Sequence, residues 1–209
     1  MSGYHAAMIR SFLIIDDFLD DPHQLREAAR KLDYPEPPEK TNYPGRNASR
    51  RILIDGLDQA VSSLVGEALT PTPGTSHGKF RLTLGSDTGK ASVHIDPSHW
   101  SGILYLSLPE HCRGGTDFYR HLPSGLDHAP YEPAHLAAAG LKDMSEVGEK
   151  LLLADTNDPD KWEHVMNLPM RFNRLALFRP WLYHNAGPGF GDCFDNGRLI
   201  YPLFFDRTS

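Results

Sequence analysis

Two residues of unlike chemistry stand two positions apart in Val93-His94-Ile95-Asp96. On an extended strand, residues i and i+2 point to the same face. His94 and Asp96 therefore present an imidazole and a carboxylate side by side, with Ile95 on the other face. Such a strand supplies two metal ligands, and a third has to come from a distant element. His184, at the end of the apolar run Trp181-Leu182-Tyr183-His184-Asn185, is placed for it. Two histidines and one carboxylate are the donor set of a mononuclear Fe(II) site that keeps positions open for a chelating cosubstrate and oxygen. The alternative for His184 is a buried ring bonded to backbone.

Arg198 opens the last apolar run of the chain, where a lone charge is costly unless paired. Its guanidinium suits the distal carboxylate of a dicarboxylic acid, held by two hydrogen bonds. An ion pair with Asp192, Asp195 or Asp206 is the competing explanation. A second ligand set also exists on paper: His94, Asp96 and His99 read as a compact zinc cluster for hydrolysis. Pro97 breaks the strand between them and is expected to turn His99 off the shared face.

Around these residues, Arg81, Trp100, Phe118 and Asn185 are candidate substrate contacts, weighed against ordinary packing for the two aromatics. Tyr105 shares a strand face with Ile103 and Ser107, while Leu104, Leu106 and Leu108 take the other. The segment Tyr43-Pro44-Gly45-Arg46-Asn47 reads as a substrate-contacting loop or as a turn with a solvated arginine, the turn being favoured. Cys112 and Cys193 carry no motif.

The elements that must position this chemistry are short. Residues 11–16 read as a strand, and Asp21-Pro22 opens a helix with Leu25, Ala28, Ala29 and Leu32 on one face. Residues 51–54 are expected as a strand and 57–69 as a second helix. Residues 80–84, 91–96, 102–108, 116–119, 175–178, 181–184 and 198–205 are expected as strands, separated by Gly and Pro turns. Many short strands with such punctuation predict a sandwich or barrel. Residues 120–170 interrupt the pattern and are expected to form an insertion or lid, with helices over 143–153 and 159–166.

The chain has 209 residues, 40% hydrophobic and 23% charged, with a net charge of −6. This fits one domain with its own core. An acidic balance argues against nucleic-acid partners, which need a basic field. Two cysteines build neither a disulfide framework nor a paired-cysteine zinc site. No run reaches membrane-spanning length, and the start Met-Ser-Gly-Tyr-His lacks a signal-peptide pattern. The expected setting is cytoplasmic, with no membrane partner. The oligomeric state is not fixed by any of these features.

Taken with their order, these residues resemble the Fe(II)- and 2-oxoglutarate-dependent oxygenase superfamily, in the style of its prolyl-hydroxylase-like branch. The resembling motifs are His94-Ile95-Asp96, Gly114-Gly115-Thr116-Asp117-Phe118, Arg174-Leu175-Ala176-Leu177-Phe178, Leu182-Tyr183-His184 and Gly197-Arg198-Leu199, with Ile14-Ile15-Asp16-Asp17-Phe18-Leu19 as an opening. The resemblance implies a mainly β fold with some α structure, a double-stranded β-helix of the jelly-roll or cupin type. Residues 1–78 would support it, residues 79–119 and 171–206 would form its core, and residues 120–170 would be the insertion. It implies Fe(II) on His94, Asp96 and His184, and 2-oxoglutarate and O2 as cosubstrates. Arg198 would bind the distal carboxylate, assisted by Tyr105. The implied reaction is hydroxylation of an unactivated carbon in an amino-acid, peptidyl or other small-molecule substrate, releasing succinate and carbon dioxide. A catalytically silent β-helix binding module is the reading from another class. The chain departs from the family pattern at Ile200, where many members carry Ser or Thr, and in the loop Gly187 to Asn196, which lengthens the His-to-Arg spacing.

Overall fold

The computed structural model describes residues 9–208. The start Met1 to His5, examined for a leader signal, lies outside the described residues. Strand β1 (Phe12–Ile15) is followed by helix α1 (Pro22–Arg30). Asp21 caps that helix by accepting from the Gln24 amide at 3.0 Å, and Pro22 occupies its first turn. After the two-residue strand β2 (Arg46–Asn47) comes α2 (Leu57–Val65), which stops at Gly66, short of the expected Leu69. Gly66 adopts the left-handed conformation that ends helices. The chain then turns directly into β3 (Leu69–Pro71).

The remaining elements are β4 (Arg81–Thr83), β5 (Trp100–Tyr105), β6 (Gly115–His121), α3 (Pro133–Ala138) and α4 (Met144–Val147). A wider helical turn, Gly148–Leu152, joins α4 to α5 (Leu153–Asp155). Then follow β7 (Trp162–Pro169), β8 (Leu175–Phe178), β9 (His184–Asn185) and β10 (Arg198–Arg207).

The strands form two antiparallel sheets. The large one runs β1-β8-β5-β10-β4-β2, with β3 also on β10; the small one runs β7-β6-β9. Strand alternation sorts the large sheet's side chains. Leu199, Tyr201, Leu203 and Phe205 of β10, with Trp100 and Leu104 of β5, face outward and pack with Leu25 and Ala29 of α1 and Leu57, Val61 and Val65 of α2. Both helices therefore support the sheet from behind. Tyr105, Ala176, Phe178 and Ile200 face inward and pack with Phe118 and Leu168 of the small sheet. A third cluster, with Leu136, Leu141 and Val147, secures the α3–α4 region against Val93, Trp162 and Tyr183.

Four expected elements come out differently. Residues 51–54 form no strand: the Ile52 amide bonds the Gly78 carbonyl, but Leu53 is exposed and no ladder follows. Residues 91–96 hold one bridge, His94 to His184, in place of a strand. The Lys90 and Ala91 amides are tied to the carbonyls of Thr41 and Asn42, and Pro97 ends the run. The expected strand 181–184 shrinks to His184–Asn185. Residues 162–169 are strand β7, not the expected helix; β7 pairs with β6 from Gly115–Pro169 to His121–Trp162, with a bulge at Phe118/Tyr119. Both ends of the 120–170 segment thus belong to the small sheet. Among the described residues, no helix is long and apolar enough to cross a membrane.

The β6–β7 pairing depends on Gly115. A Cβ there would lie 1.9 Å from the Leu168 carbonyl oxygen, a backbone atom that no side-chain rotation can move. Gly115→Ala is expected to destabilise the fold by about 1–3 kcal/mol, the usual cost of overpacking. A urea melt followed by circular dichroism reads this directly, and an unchanged midpoint would show that the two strands separate at no cost.

Candidate metal centre

His94, Asp96 and His184 converge: one ligand atom from each lies within 4.8 Å of the others. The pairing of His94 with His184 is what does it. Each amide donates to the other's carbonyl, at 2.9 and 3.0 Å, and this bridge sets the two rings 4.5 Å apart. Asp96, two residues on, turns the same way although it is not in a ladder. Its carboxylate oxygens stand 3.3 Å from His184 Nε2 and 3.9 Å from His94 Nε2.

The two rings are held in one tautomer by the same device. His94 Nδ1 donates to the Ser92 carbonyl at 2.9 Å, and His184 Nδ1 donates to the Leu182 carbonyl at 2.8 Å. Each Nε2 is left with its lone pair, aimed at the carboxylate. Ligating histidines characteristically use the second ring nitrogen this way. Burial, aided by the nearby His184 ring, pushes the His94 imidazole down to about 4, so it is neutral at pH 7. Burial alone would raise Asp96. Charge taken up at the His184 ring and then at His94, with the hydroxyl of Ser101 2.6 Å from the carboxylate, outweighs it and holds Asp96 well below the usual carboxylate range. Two imidazole nitrogens and one carboxylate oxygen fit a divalent first-row metal.

The segment carrying His94 is clamped from the α5 side. Thr156 Oγ1 donates to the Val93 carbonyl at 2.8 Å and accepts from the Ser92 amide at 3.0 Å. His99, by contrast, is turned away from the triad, onto Glu67 at 2.5 Å and Arg179 at 2.7 Å. The compact zinc set is therefore corrected: beyond Pro97 the chain carries His99 to Glu67, just past the end of α2, and His184 completes the group in its place.

Arg198 is 1% exposed and forms no ion pair with Asp192, Asp195 or Asp206 among the described residues. Asp195 pairs instead with Arg26 and Arg30 of the first helix. The Arg198 guanidinium donates once, to the Gly115 carbonyl at 3.3 Å, and its Nε has no partner. Burial lowers its pKa. A buried cation left this incomplete keeps donors for an anion, but neither Arg198 nor Tyr105 is among the residues lining the cavity over the triad. Tyr105 lies with its ring centroid 6.0 Å from that guanidinium, and its hydroxyl bonds Thr116 Oγ1 at 2.7 Å.

A cavity of about 1120 Å³ opens over the triad. Arg81 and Asn185 line it, as do Ser101, Ile103, Phe178 and Ile200. Asn185 donates to Ser92 Oγ at 2.8 Å. Trp100 does not line the cavity. Strand alternation puts it on the outer face of β5 with Leu104, where its indole donates to Glu67 and its ring carries the Arg179 guanidinium at 3.9 Å. Phe118 also stays out of the lining, packed edge-on against Phe12 and Phe178. The Tyr43–Asn47 segment is more than a turn: Tyr43 lines the cavity, Arg46 and Asn47 pair with β4, and Arg46 meets Glu36 and Asp87. Ser101, Thr156 and Ser76 carry no motif in the sequence, while Tyr43 and Asn47 belong to the segment it marks out. Of the first three, Ser101 alone had a visible signal, as the inward neighbour of Ile103.

A family profile described as "Family of unknown function (DUF6445)" matches residues 5–204. No curated protein sequence matches the chain. Among solved structures, the fold is similar to HygX from Streptomyces hygroscopicus with nickel, 2-oxoglutarate and hygromycin B bound. Identity is 14%, coverage is 95% of this chain and 83% of that one, and the TM-score is 0.50. It is also similar to the non-heme alpha ketoglutarate dependent epimerase SnoN from nogalamycin biosynthesis, at 13% identity over 94% of this chain and 78% of that one, with a TM-score of 0.51. At such identities the likeness is one of fold.

Proposed function

We propose that this chain, which belongs to the DUF6445 family, is an Fe(II)- and 2-oxoglutarate-dependent dioxygenase that hydroxylates a small molecule. The observation that carries the reading is the convergence of His94, Asp96 and His184, with both histidine Nδ1 atoms committed to backbone carbonyls. The sheet order supports a double-stranded β-helix. The His94 segment and β9, β6 and β7 form one wall, and β4, β10, β5 and β8 form the other. The neighbours' ligands, a metal with 2-oxoglutarate, agree with the donor set here. Hygromycin B in HygX favours a small-molecule over a peptidyl substrate.

Iron(II) with chelated 2-oxoglutarate supplies oxidation of an unactivated C–H bond by O2, with succinate and carbon dioxide as co-products. The chain's own residues do the positioning. His94, Asp96 and His184 would hold the metal. Ser101 fixes the Asp96 carboxylate so that its other oxygen is free to ligate. Arg198 receives the distal carboxylate of 2-oxoglutarate, with Tyr105 and Thr116 beside it. Phe178 and Ile200 line the space near the metal with apolar surface and exclude water from it.

Anaerobic visible absorption tests this reading. Metal-stripped protein is titrated with Fe(II) and then with 2-oxoglutarate. A weak charge-transfer band that needs both additions is the expected result. A folded protein that gives no band, and no succinate on admission of air, overturns it.

A further inference from the structure

Arg81 is a second buried arginine at the centre, and its surroundings differ from those of Arg198. It lies on β4 at 8% exposure and lines the same cavity as His94, Asp96 and His184. Its Nε donates to Asn47 Oδ1 at 2.9 Å and its Nη2 to Ser76 Oγ at 3.1 Å. The guanidinium carbon sits 3.4 Å from the centroid of the Tyr43 ring. One face and the side-on edge of the guanidinium are therefore occupied. Apart from the nearby Tyr43 hydroxyl, the end-on edge, the Nη1 hydrogens with the second Nη2 hydrogen, has no partner among the described residues. That edge is the fork that takes a carboxylate by two parallel hydrogen bonds.

No carboxylate pairs with Arg81 among the described residues. The acids nearest the cavity are engaged elsewhere: Asp87 accepts from the Leu84 amide and meets Arg46, and Asp117 accepts from His164 and Asn167. Asp96 acts on Arg81 through space, but its charge belongs to the metal once the triad is filled. The loaded centre then contains a buried guanidinium with no counter-charge, which is costly unless a ligand brings one.

We propose that Arg81, framed by Tyr43, Asn47 and Ser76, is a carboxylate subsite, and that the molecule oxidised here is a small acid held by it. The inference rests on the oxygenase reading for the word "oxidised" and on geometry alone for the subsite. The shared chemistry is a carboxylate, and two sources offer one: the substrate or 2-oxoglutarate. The geometry favours the substrate, because Arg198, with one donation to the Gly115 carbonyl and a partnerless Nε, keeps donors for the cosubstrate at another position on the inward face of β10.

The test needs no turnover. Saturation-transfer NMR is run with acetate as the minimal carboxylate and acetamide as its neutral counterpart. The protein is loaded with Zn(II) as a redox-inert occupant of the triad and saturated with 2-oxoglutarate. Acetate is expected to bind and acetamide not. Arg81→Gln is expected to weaken acetate by about tenfold or more, the loss of one charge-assisted pair, while 2-oxoglutarate affinity by calorimetry stays within about twofold. Arg81→Lys keeps the charge without the fork and is expected to fall between wild type and Arg81→Gln, which separates loss of recognition from loss of fold. Equal acetate binding in wild type and Arg81→Gln overturns the subsite. So does equal binding of acetamide. If Arg81→Gln instead weakens 2-oxoglutarate tenfold, Arg81 holds the cosubstrate and the proposal is wrong. Acetate capture through Arg81 in a protein that shows no band with Fe(II) and 2-oxoglutarate would keep the subsite and remove the oxygenase.

Discussion

His184→Ala is expected to lower Fe(II) affinity by more than about 100-fold and to abolish succinate release. Losing only a supporting hydrogen bond of a metal ligand costs roughly 10–100-fold, and this change removes one of three ligands outright. The variant should still fold. The bridge between positions 94 and 184 is made by backbone amides and carbonyls, which alanine keeps. His99→Ala is the control. Its ring is bound to Glu67 and Arg179, so metal affinity should survive its removal. Equilibrium dialysis against Fe(II) under anaerobic conditions gives both numbers. A His184→Ala protein with wild-type affinity, or a His99→Ala protein without any, would reverse the ligand assignment.

Arg198→Gln has two expected effects of opposite sign. Hydrogen bonds to charged groups contribute about 1.5–3 kcal/mol each. Losing a two-bond clamp on the distal carboxylate should therefore weaken 2-oxoglutarate by about 100-fold or more, with Fe(II) affinity spared. The second effect appears without any ligand. Arg198 is a fully buried cation with an orphaned Nε and no carboxylate beside it. It is charged in both folded and unfolded states at neutral pH, and burial depresses its folded-state pKa. By linkage that charge opposes folding. The metal-free variant should melt no lower than wild type, and its Tm should no longer rise with 2-oxoglutarate. A lower Tm with an unchanged ligand response would make Arg198 a structural residue.

Much of this centre was legible in the residues, and the reasons are specific. The spacing of His94 and Asp96 needs only an extended backbone, not a strand. The side-by-side placement therefore holds although residues 91–96 form one bridge in place of a ladder. Pro97 correctly signalled that His99 leaves the face. The alternation Leu199, Tyr201, Leu203, Phe205 separated outward apolar residues from inward Arg198, which is why β10 was readable over nearly its whole length.

The failures also have causes. Trp162 to Pro169 puts only Trp162 and Leu168 fully inside. A strand with an exposed run between its ends gives no period-two signal, and this one was read as a helix. Trp100 was assigned to the pocket by aromatic type, when its parity in β5 sends it outward. The Tyr43–Asn47 segment stood out, but its role did not, and Ser76 carried no signal, because their role comes from Arg81 and β4 meets β2 only in the folded chain. Thr156 had no local signal either, since its partners are 63 and 64 positions away.

That last contact has a consequence for how the protein is made. The residues before Asp96 have no ladder of their own and are held by Thr156 and by the backbone of His184. Both partners are translated well after them. At roughly 5–20 residues per second, the ribosome takes seconds to travel from His94 to His184. Until Thr156 emerges, the chain carries the His94 imidazole and the Asp96 carboxylate without their clamp, and until His184 emerges it carries them without the third donor. The three-donor group therefore comes together only when the chain is almost finished.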